Sequence, residues 1–409
     1  MVTNLKPGIF AQTIYNMIPF SEAYNIVMSS CFSTGTELVS FSGSLNRVLA
    51  EDVYCDRDIP AFNRAAVDGF ACRKEDLAAE LTVKGIIRAG EAPLFKIGAR
   101  ECCKIMTGAI VPDGADFVFM VEDSQELPDG RIKFKGTVPK NNISFKGEDV
   151  KAGQVVLKAG KIIKPQDIAV LASVGHVTVK VSSKPLVGVI STGDELVEPD
   201  EKPSPSEIRN SNAWQLLAQV ERAGGAGRYY GIAPDDEEAT FRIISEAIAD
   251  NEIVILTGGV SMGDYDFVQN VLKRAGVEIL FDKVRVQPGK PTTFGKHSKG
   301  VVFALPGNPV SSFVQMEVLV KPFIYKMTGA DWKPLIYKVP MAERFERKST
   351  DRAAWVPVRI TEDFRAEPVE YHGSAHITAM PGADGIIFME TGQKIVEKNE
   401  IVDVRYFNH

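Results

Sequence analysis

The stretch VILTGGVSMGDYD, Val254 to Asp266, decides how this chain folds. Val254-Ile255-Leu256 continue an apolar run, EIVIL, that reads as a short strand covered on both faces. The run breaks at Gly258-Gly259, where the missing side chains let another group approach the backbone closely. A loop carrying Ser261, Asp264 and Asp266 follows, and then VQNVLKRAG, a short helical pattern. Asp264 or Asp266 can cap that helix, with Gln269 reaching back towards Asp266. The alternative is a loop that holds a ligand.

The same strand, loop and helix rhythm recurs on either side. LVGVI is a strand, and Asn210 or Ser211 can cap a helix bearing Leu216, Leu217 and Val220 that stops at Gly224-Gly225. Tyr229 to Ile232 reads as a strand, followed by a helix with Phe241, Ile244 and Ile248 on one side. VVFAL then leads into VSSFVQMEVLVKPF. This alternation predicts a central α/β domain over 183–330, with 1–19 as a candidate extension, built on a mostly parallel sheet with helices on both faces.

Flanking segments read differently. Over 20–50 the pattern is helical from Ser21, with Ala23, Ile26, Val27 and Ser30 on one face, and 150–182 contains QDIAVLASVG, a helix ending at Gly175. Together they predict a discontinuous, extended helical and β connector domain. Residues 51–149 (LTVKGII, DFVFMVE, RIKFKG) predict a β-rich domain, and 331–409 (LIYKVPM, WVPVRI, GIIFME, IVDVRYF) a C-terminal β-barrel. The fold class expected is therefore multidomain α/β.

Composition agrees with several soluble domains: 409 residues exceed one core, with 44% hydrophobic and 24% charged residues. No apolar run reaches membrane-span length, and the first residues show no secretion signal. A net charge of −6 gives no general support for nucleic-acid binding. Cys31, Cys55, Cys72, Cys102 and Cys103 contain no C-x-x-C pair, which argues against a disulfide framework or structural zinc and fits a reducing cytoplasm.

Ligands of open α/β sheets bind beyond the carboxyl ends of the strands. There VISTGDELVEP places Thr192, Gly193, Asp194 and Glu195. FALPGNPVSSF places Pro306, Gly307, Asn308 as an N-cap and Pro309 as the first helical residue. The free N–H groups of Val310, Ser311 and Ser312 suit an oxyanion, and a plain capped helix is the alternative. VRVQPGKPTTFG presents Lys290 between Pro288-Gly289 and Pro291, a stiff setting that suits an anion. Asp235 precedes a helix, where Glu238 would complete a capping box. If these loops converge, Glu195, Asp235 and Asp266 share a crevice with anion-binding groups, and a hard cation, Mg²⁺, is needed between them.

STGDEL, TGGVSMGDYD, PGKP and LPGNPVSSF together resemble the molybdopterin molybdenumtransferase family, which includes MoeA and the gephyrin E-domain. AFNRAAVDGFA, IMTGAIVPDGAD and GSAHITAMPGADGIIF extend the likeness from about Ser21 to the end. The resemblance implies insertion of molybdate into adenylylated molybdopterin, with Mg²⁺-dependent release of AMP. It implies a homodimer with a shared active cleft, and it makes molybdopterin adenylyltransferase and molybdoenzyme apoproteins candidate partners.

Carried over, Asp68 and Thr107 come from the other chain. Glu195, Asp235, Asp266, Lys290, Pro306 and Pro309 come from the near side, with Ser374 at the rim. Glu195 and Asp266 would hold the metal. Thr192, Gly193, Asp194, Gly258, Gly259, Ser261, Gly307, Asn308 and Ser311 join the substrate-binding set. Gln287 stands where some members carry lysine, and Pro357 where an arginine can occur, with Arg352 or Arg359 as candidate substitutes for that arginine. His372 and His376 flank Ser374 and read as solvated or hydrogen-bonded. Two other classes compete: a scaffold without turnover, of the gephyrin E-domain type, and a generic phosphate-binding hydrolase. A tungstate-specific paralogue is a variant of the first reading.

Overall fold

The computed structural model describes residues 17–137, 140–259, 268–370 and 372–407. It opens with α1 (Phe20–Ser29), which buries Ala23 and Val27. The helical pattern expected as far as Ala50 stops there. Thr36–Ser40 is instead strand β1, because TELVS pairs antiparallel with a later strand, Val39 opposite Val179. Ser21 lies inside the helix and does not cap it.

The next segment carries a six-stranded sheet. Three of its strands matter here: β2 (Gly69–Cys72), β3 (Glu101–Ile105) and β4 (Phe117–Met120). β2 lies between the other two, antiparallel to both. Gly69 is obligatory, since a Cβ there would sit 1.9 Å from the Phe119 carbonyl oxygen. The chain then forms α2 (Pro165–Ser173) and β5 (Thr178–Ser182), the partner of β1.

β6 (Leu186–Thr192) begins the α/β unit, followed by α3 (Asn212–Arg222), β7 (Ala226–Ala233), α4 (Glu237–Asp250) and β8 (Ile253–Thr257). α5 (Val268–Arg274), β9 (Glu278–Phe281), β10 (Thr293–His297) and β11 (Gly300–Leu305) complete its sheet. The strand order is β7-β6-β8-β11-β10-β9. The first four strands run parallel, and β10 and β9 add antiparallel pairings.

Period-two alternation sends Val187, Val189, Ile253, Ile255 and Phe303 into one core with α3, and Val254, Leu256, Val302 and Ala304 into a second core with α4 and α5. On α3, Ala213, Leu216 and Val220 fall at i, i+3 and i+7, which is why this face buries. Each large side chain so buried contributes roughly 1.5–3 kcal/mol. Ser211 holds the N-cap position of this helix without a side-chain cap bond, and Asn210, one residue earlier, supplies Oδ1 as acceptor for Ala213 N–H at 3.3 Å.

After β11 come α6 (Pro309–Gln315), one π-helical turn over Met316–Val320, and α7 (Lys321–Met327). The C-terminal region is a mixed sheet in the order Val286–Gln287, β12 (Ala353–Ile360), Gly385–Met389, Ile401–Tyr406, Ile336–Pro340. Among the described residues no sheet closes into the expected C-terminal β-barrel. The two end strands do not pair with each other among the described residues, and one of them, Val286–Gln287, comes from the α/β unit. Among the described residues no helix is long and apolar enough to cross a membrane, and all five cysteines are free thiols.

Candidate active site

Three strand ends meet. A Cβ on Gly258, at φ +95°, would lie 2.4 Å from the Thr192 carbonyl oxygen, and one on Gly259, at φ +61°, 2.8 Å from Thr192 Oγ1. A Cβ on Gly307 would lie 3.3 Å from the Gly258 Cα. β6, β8 and β11 therefore bring Gly258 and Gly259 onto Thr192 and Gly307 onto Gly258, and at Gly258 and Gly259 only glycine permits it. Ser261 and Asp266 lie outside the described residues, as does Asp264.

Beyond Thr192, the Glu195 carboxylate folds over Gly193, where a Cβ would stand 2.3 Å from Glu195 Oε2. Asp194 and Asp235 exchange backbone N–H groups and carboxylates: Asp235 N–H donates to Asp194 Oδ1 at 3.0 Å, and Asp194 N–H to Asp235 Oδ2 at 3.5 Å. The capping box expected for Asp235 and Glu238 is absent. Asp236 caps α4 through Ala239 N–H at 2.7 Å, and Glu238 pairs with Arg274 instead. That shift of one residue frees Asp235 to lock the two loops together, with Asp194, Glu195 and Asp235 all exposed.

The start of α6 differs from expectation. Asn308 does occupy the N-cap and Pro309 the first turn, but the Asn308 side chain makes no cap hydrogen bond. Its Nδ2 donates to Ser374 Oγ at 2.8 Å. Val310 N–H donates to the Ser374 carbonyl at 2.9 Å, and Ser312 N–H to the Asn308 carbonyl at 3.0 Å. Two of the three N–H groups expected to be free are thus occupied, one by the C-terminal region, whose loop seats on this helix end.

Between that region and the α/β unit runs a groove of about 1070 Å³. Lys290, Pro306, Asn308, Ser311 and Ser374 all line it; Glu195, Asp235 and Pro309 do not. Gln315 Nε2 donates to the Pro288 carbonyl at 2.9 Å and lies so close that Gly289 could carry no Cβ. Thr292 Oγ1 donates to the Gly289 carbonyl at 2.7 Å. The PGKP turn is thereby clamped from both sides. Gln287 also lines the groove, beside Lys283, Lys348 and Arg352. Of the two arginines weighed from sequence, Arg352 faces the groove, whereas Arg359 is bound to Glu367. Lys283 and Lys348 have no motif around them, and only their place in the groove singles them out.

Asp68 and Thr107 do not line this groove. Both are exposed, and among the described residues no hydrogen bond or ion pair joins 60–147 to 186–330. Thr107 N–H and Oγ1 both donate to Asp68 Oδ1 at 2.7 Å. Those bonds, the backbone one foremost, hold the Asp68 carboxyl below its usual range. His372 N–H donates to His376 Nδ1 at 3.2 Å, with the rings stacked, so this pair is hydrogen-bonded as expected.

Against known proteins, residues 18–175 match the MoeA N-terminal region (domain I and II), 188–326 a probable molybdopterin binding domain, and 338–407 the MoeA C-terminal region (domain IV). The molybdopterin molybdenumtransferase of Staphylococcus aureus (strain Mu50 / ATCC 700699) is 35% identical over 400 residues, covering 95% of each chain.

The chain belongs to the MoeA-type molybdopterin molybdenumtransferase family.

The corresponding enzyme of Staphylococcus epidermidis (strain ATCC 12228 / FDA PCI 1200) is 34% identical over 397 residues, again covering 95% of each. The crystal structure of the molybdopterin biosynthesis moeA protein from Pyrococcus horikoshii OT3 superposes with a TM-score of 0.84 at 31% identity, covering 96% of this chain and all of that one. Membership of the MoeA family places the chain among the transferases of molybdenum cofactor biosynthesis.

Proposed function

We propose that this protein inserts molybdate into the dithiolene of adenylylated molybdopterin and releases AMP. The observation that carries the reading is a physical continuity. A groove with Lys283, Lys290, Lys348 and Arg352 shares the Pro306–Asn308 turn with strand ends that lead to Glu195, Asp194 and Asp235. Cationic side chains suit molybdate and the substrate phosphates, both oxyanions. The neighbouring carboxylates offer only oxygen donors, the chemistry of a hard divalent cation.

Among the described residues no three ligating side chains form a metal cage. Mg²⁺ takes one or two carboxylates and completes its shell with water and substrate phosphate. Glu195, with Asp266 as a further donor, would hold it. Held there, such an ion would supply charge neutralisation and polarisation at the substrate's phosphate linkage. Meanwhile Lys290 and Arg352 orient the anion, and the C-terminal loop at Ser374 closes the rim.

Asp68 is held ionised by Thr107 and does not line the groove of its own chain; in this reading it reaches the site of a second copy in a homodimer with a shared cleft. Molybdopterin adenylyltransferase would supply the substrate, and molybdoenzyme apoproteins would take the product. Incubation with adenylylated molybdopterin, molybdate and Mg²⁺ should release AMP and form the cofactor, and Asp68→Ala should stop release without changing the circular dichroism spectrum. Tight binding with no AMP released by the unsubstituted protein would replace the enzyme by a scaffold.

A further inference from the structure

Asn212, the first residue of α3, is half-buried at the seam between the two halves of the candidate site. Its Nδ2 donates to Thr257 Oγ1 at 2.9 Å and to the Gly307 carbonyl at 2.7 Å. Thr257 Oγ1 donates onward to the Pro306 carbonyl at 3.3 Å. One amide thus ties together a helix start, the end of β8 and the turn after β11. On one side of that tie, Gly258 packs on Thr192, which leads directly into Gly193-Asp194-Glu195. On the other, Pro306 and Asn308 line the groove with Lys290, and Asn308 reaches Ser374.

A second observation is independent of these bonds. Among the described residues Asn212 Oδ1 is buried without a partner, and so is Thr192 Oγ1 in the same crevice. An acceptor buried in this way carries a desolvation cost that partly offsets the two donor bonds. What the amide provides is a pair of donor bonds with a fixed angle between them, from one nitrogen to two different loops.

We propose that Asn212 is a positioning residue for the transfer reaction: acting through Thr257 and Gly307, it fixes the separation between the carboxylate loop and the groove. An anion seated at Lys290 then presents its reacting bond to the Asp194–Glu195 side. The inference rests on the transfer reading given above. It predicts a defect in turnover rather than in binding, because the cations that hold the anion lie on groove elements that Asn212 does not touch.

The test compares Asn212→Ala, Thr257→Val and the double variant in the full chain, with adenylylated molybdopterin, molybdate and Mg²⁺. For Asn212→Ala, kcat should fall at least 30-fold while KM for adenylylated molybdopterin and the affinity for AMP change less than threefold. Thr257→Val should lower kcat several-fold, and the double variant no further than Asn212→Ala, because both act in one lace. A folded Asn212→Ala with kcat within threefold of the unsubstituted protein overturns the proposal, as does KM rising in step with lost turnover. If Asn212→Ala does not fold, Thr257→Val decides: unchanged kcat overturns the proposal. An unsubstituted protein that releases no AMP removes the transfer reading and this one together, whereas normal release by both proteins removes only this one.

Discussion

Thr107 gives both its backbone N–H and its hydroxyl to one oxygen of Asp68, each at 2.7 Å, across 39 residues of sequence. The two residues sit just outside β2 and β3, so strand pairing carries them together. Asp68 is held below the ordinary carboxylate range first by the backbone bond, then by the hydroxyl, with Lys104 adding attraction. A carboxyl whose folded pKa lies below its unfolded value adds stability above the unfolded value, and that stability is lost as pH falls through the folded pKa. Carbon-detected NMR titration should therefore place Asp68 below 3.8 in the unsubstituted protein. In Thr107→Val the midpoint should move upward but not all the way, since the backbone donor survives. An unmoved midpoint would remove the hydroxyl from this account.

Gly258 makes a sharper stability test. Its φ of +95° disfavours any side chain, and a Cβ would also strike the Thr192 carbonyl. Gly153, at φ +82°, has the same backbone difficulty but nothing within 4 Å of the added atom. Gly153→Ala should cost about 1 kcal/mol, from backbone strain alone. Gly258→Ala should cost roughly 3 kcal/mol or more, because the meeting of β6 and β8 must also open. Urea midpoints for the two variants compare them directly, and equal losses would show that the contact with Thr192 is soft.

Much of the α/β unit was legible because its strands are covered on both faces. VVFAL and EIVIL carry no polar interruption, and helix starts announce themselves by Asn210 and by Asn308-Pro309. The connector was harder. Nothing local in TELVS says strand; it becomes one only because Thr178–Ser182, far along the chain, offers a partner. In the same way, Asp235 and Asp236 are indistinguishable as caps in sequence, and the structure chooses the second. The groove cation Lys348 was invisible because the C-terminal region is what brings it to the groove, whereas Lys283 stands near Lys290 through a local turn, with Val284 N–H donating to the Lys290 carbonyl at 2.9 Å. Asn212, half-hidden behind Asn210, shows its role only through partners 45 and 95 positions away.

Lys290 and Arg352 should behave alike, and Arg359 should not. The first two line the groove, whereas Arg359 is engaged by Glu367 on the adjoining strand. Lys290→Ala and Arg352→Ala should each weaken molybdate binding, roughly 5- to 50-fold at low ionic strength, and the loss should shrink as added salt screens the unsubstituted site. Arg359→Ala should bind within a factor of two of the unsubstituted protein. Calorimetric titrations at two salt concentrations separate these cases, and a salt-independent loss at Lys290 would point to altered turn geometry.

The last prediction concerns charges sealed inside the fold. Glu317 and Lys321, with side chains 2% and 3% exposed, lie one turn apart where the helix passes through its π-turn. Glu317 accepts from Gln219 at 2.8 Å, from Arg222, and from Lys321 at 3.1 Å. Arg405 reaches the Glu317 carbonyl at 2.6 Å, and Lys321 the Phe407 carbonyl at 3.3 Å, so the cluster binds the C-terminal strand to the α/β unit.

Removing the single anion strands these cations, and Glu317→Ala should destabilise by about 3–5 kcal/mol. Lys321→Met should cost far less, because Arg222 and Gln219 still satisfy the carboxylate. Burial holds the Lys321 pKa below 10.5, so its protonated form burdens the fold until pH climbs through the folded pKa, and the burden is gone by the unfolded value. The stability of the unsubstituted protein relative to Lys321→Met should therefore rise with pH across that alkaline window. Denaturation curves collected from neutral pH to pH 10.5 provide the measurement, and a constant or falling difference would mean that Lys321 is not held off its ordinary pKa by burial.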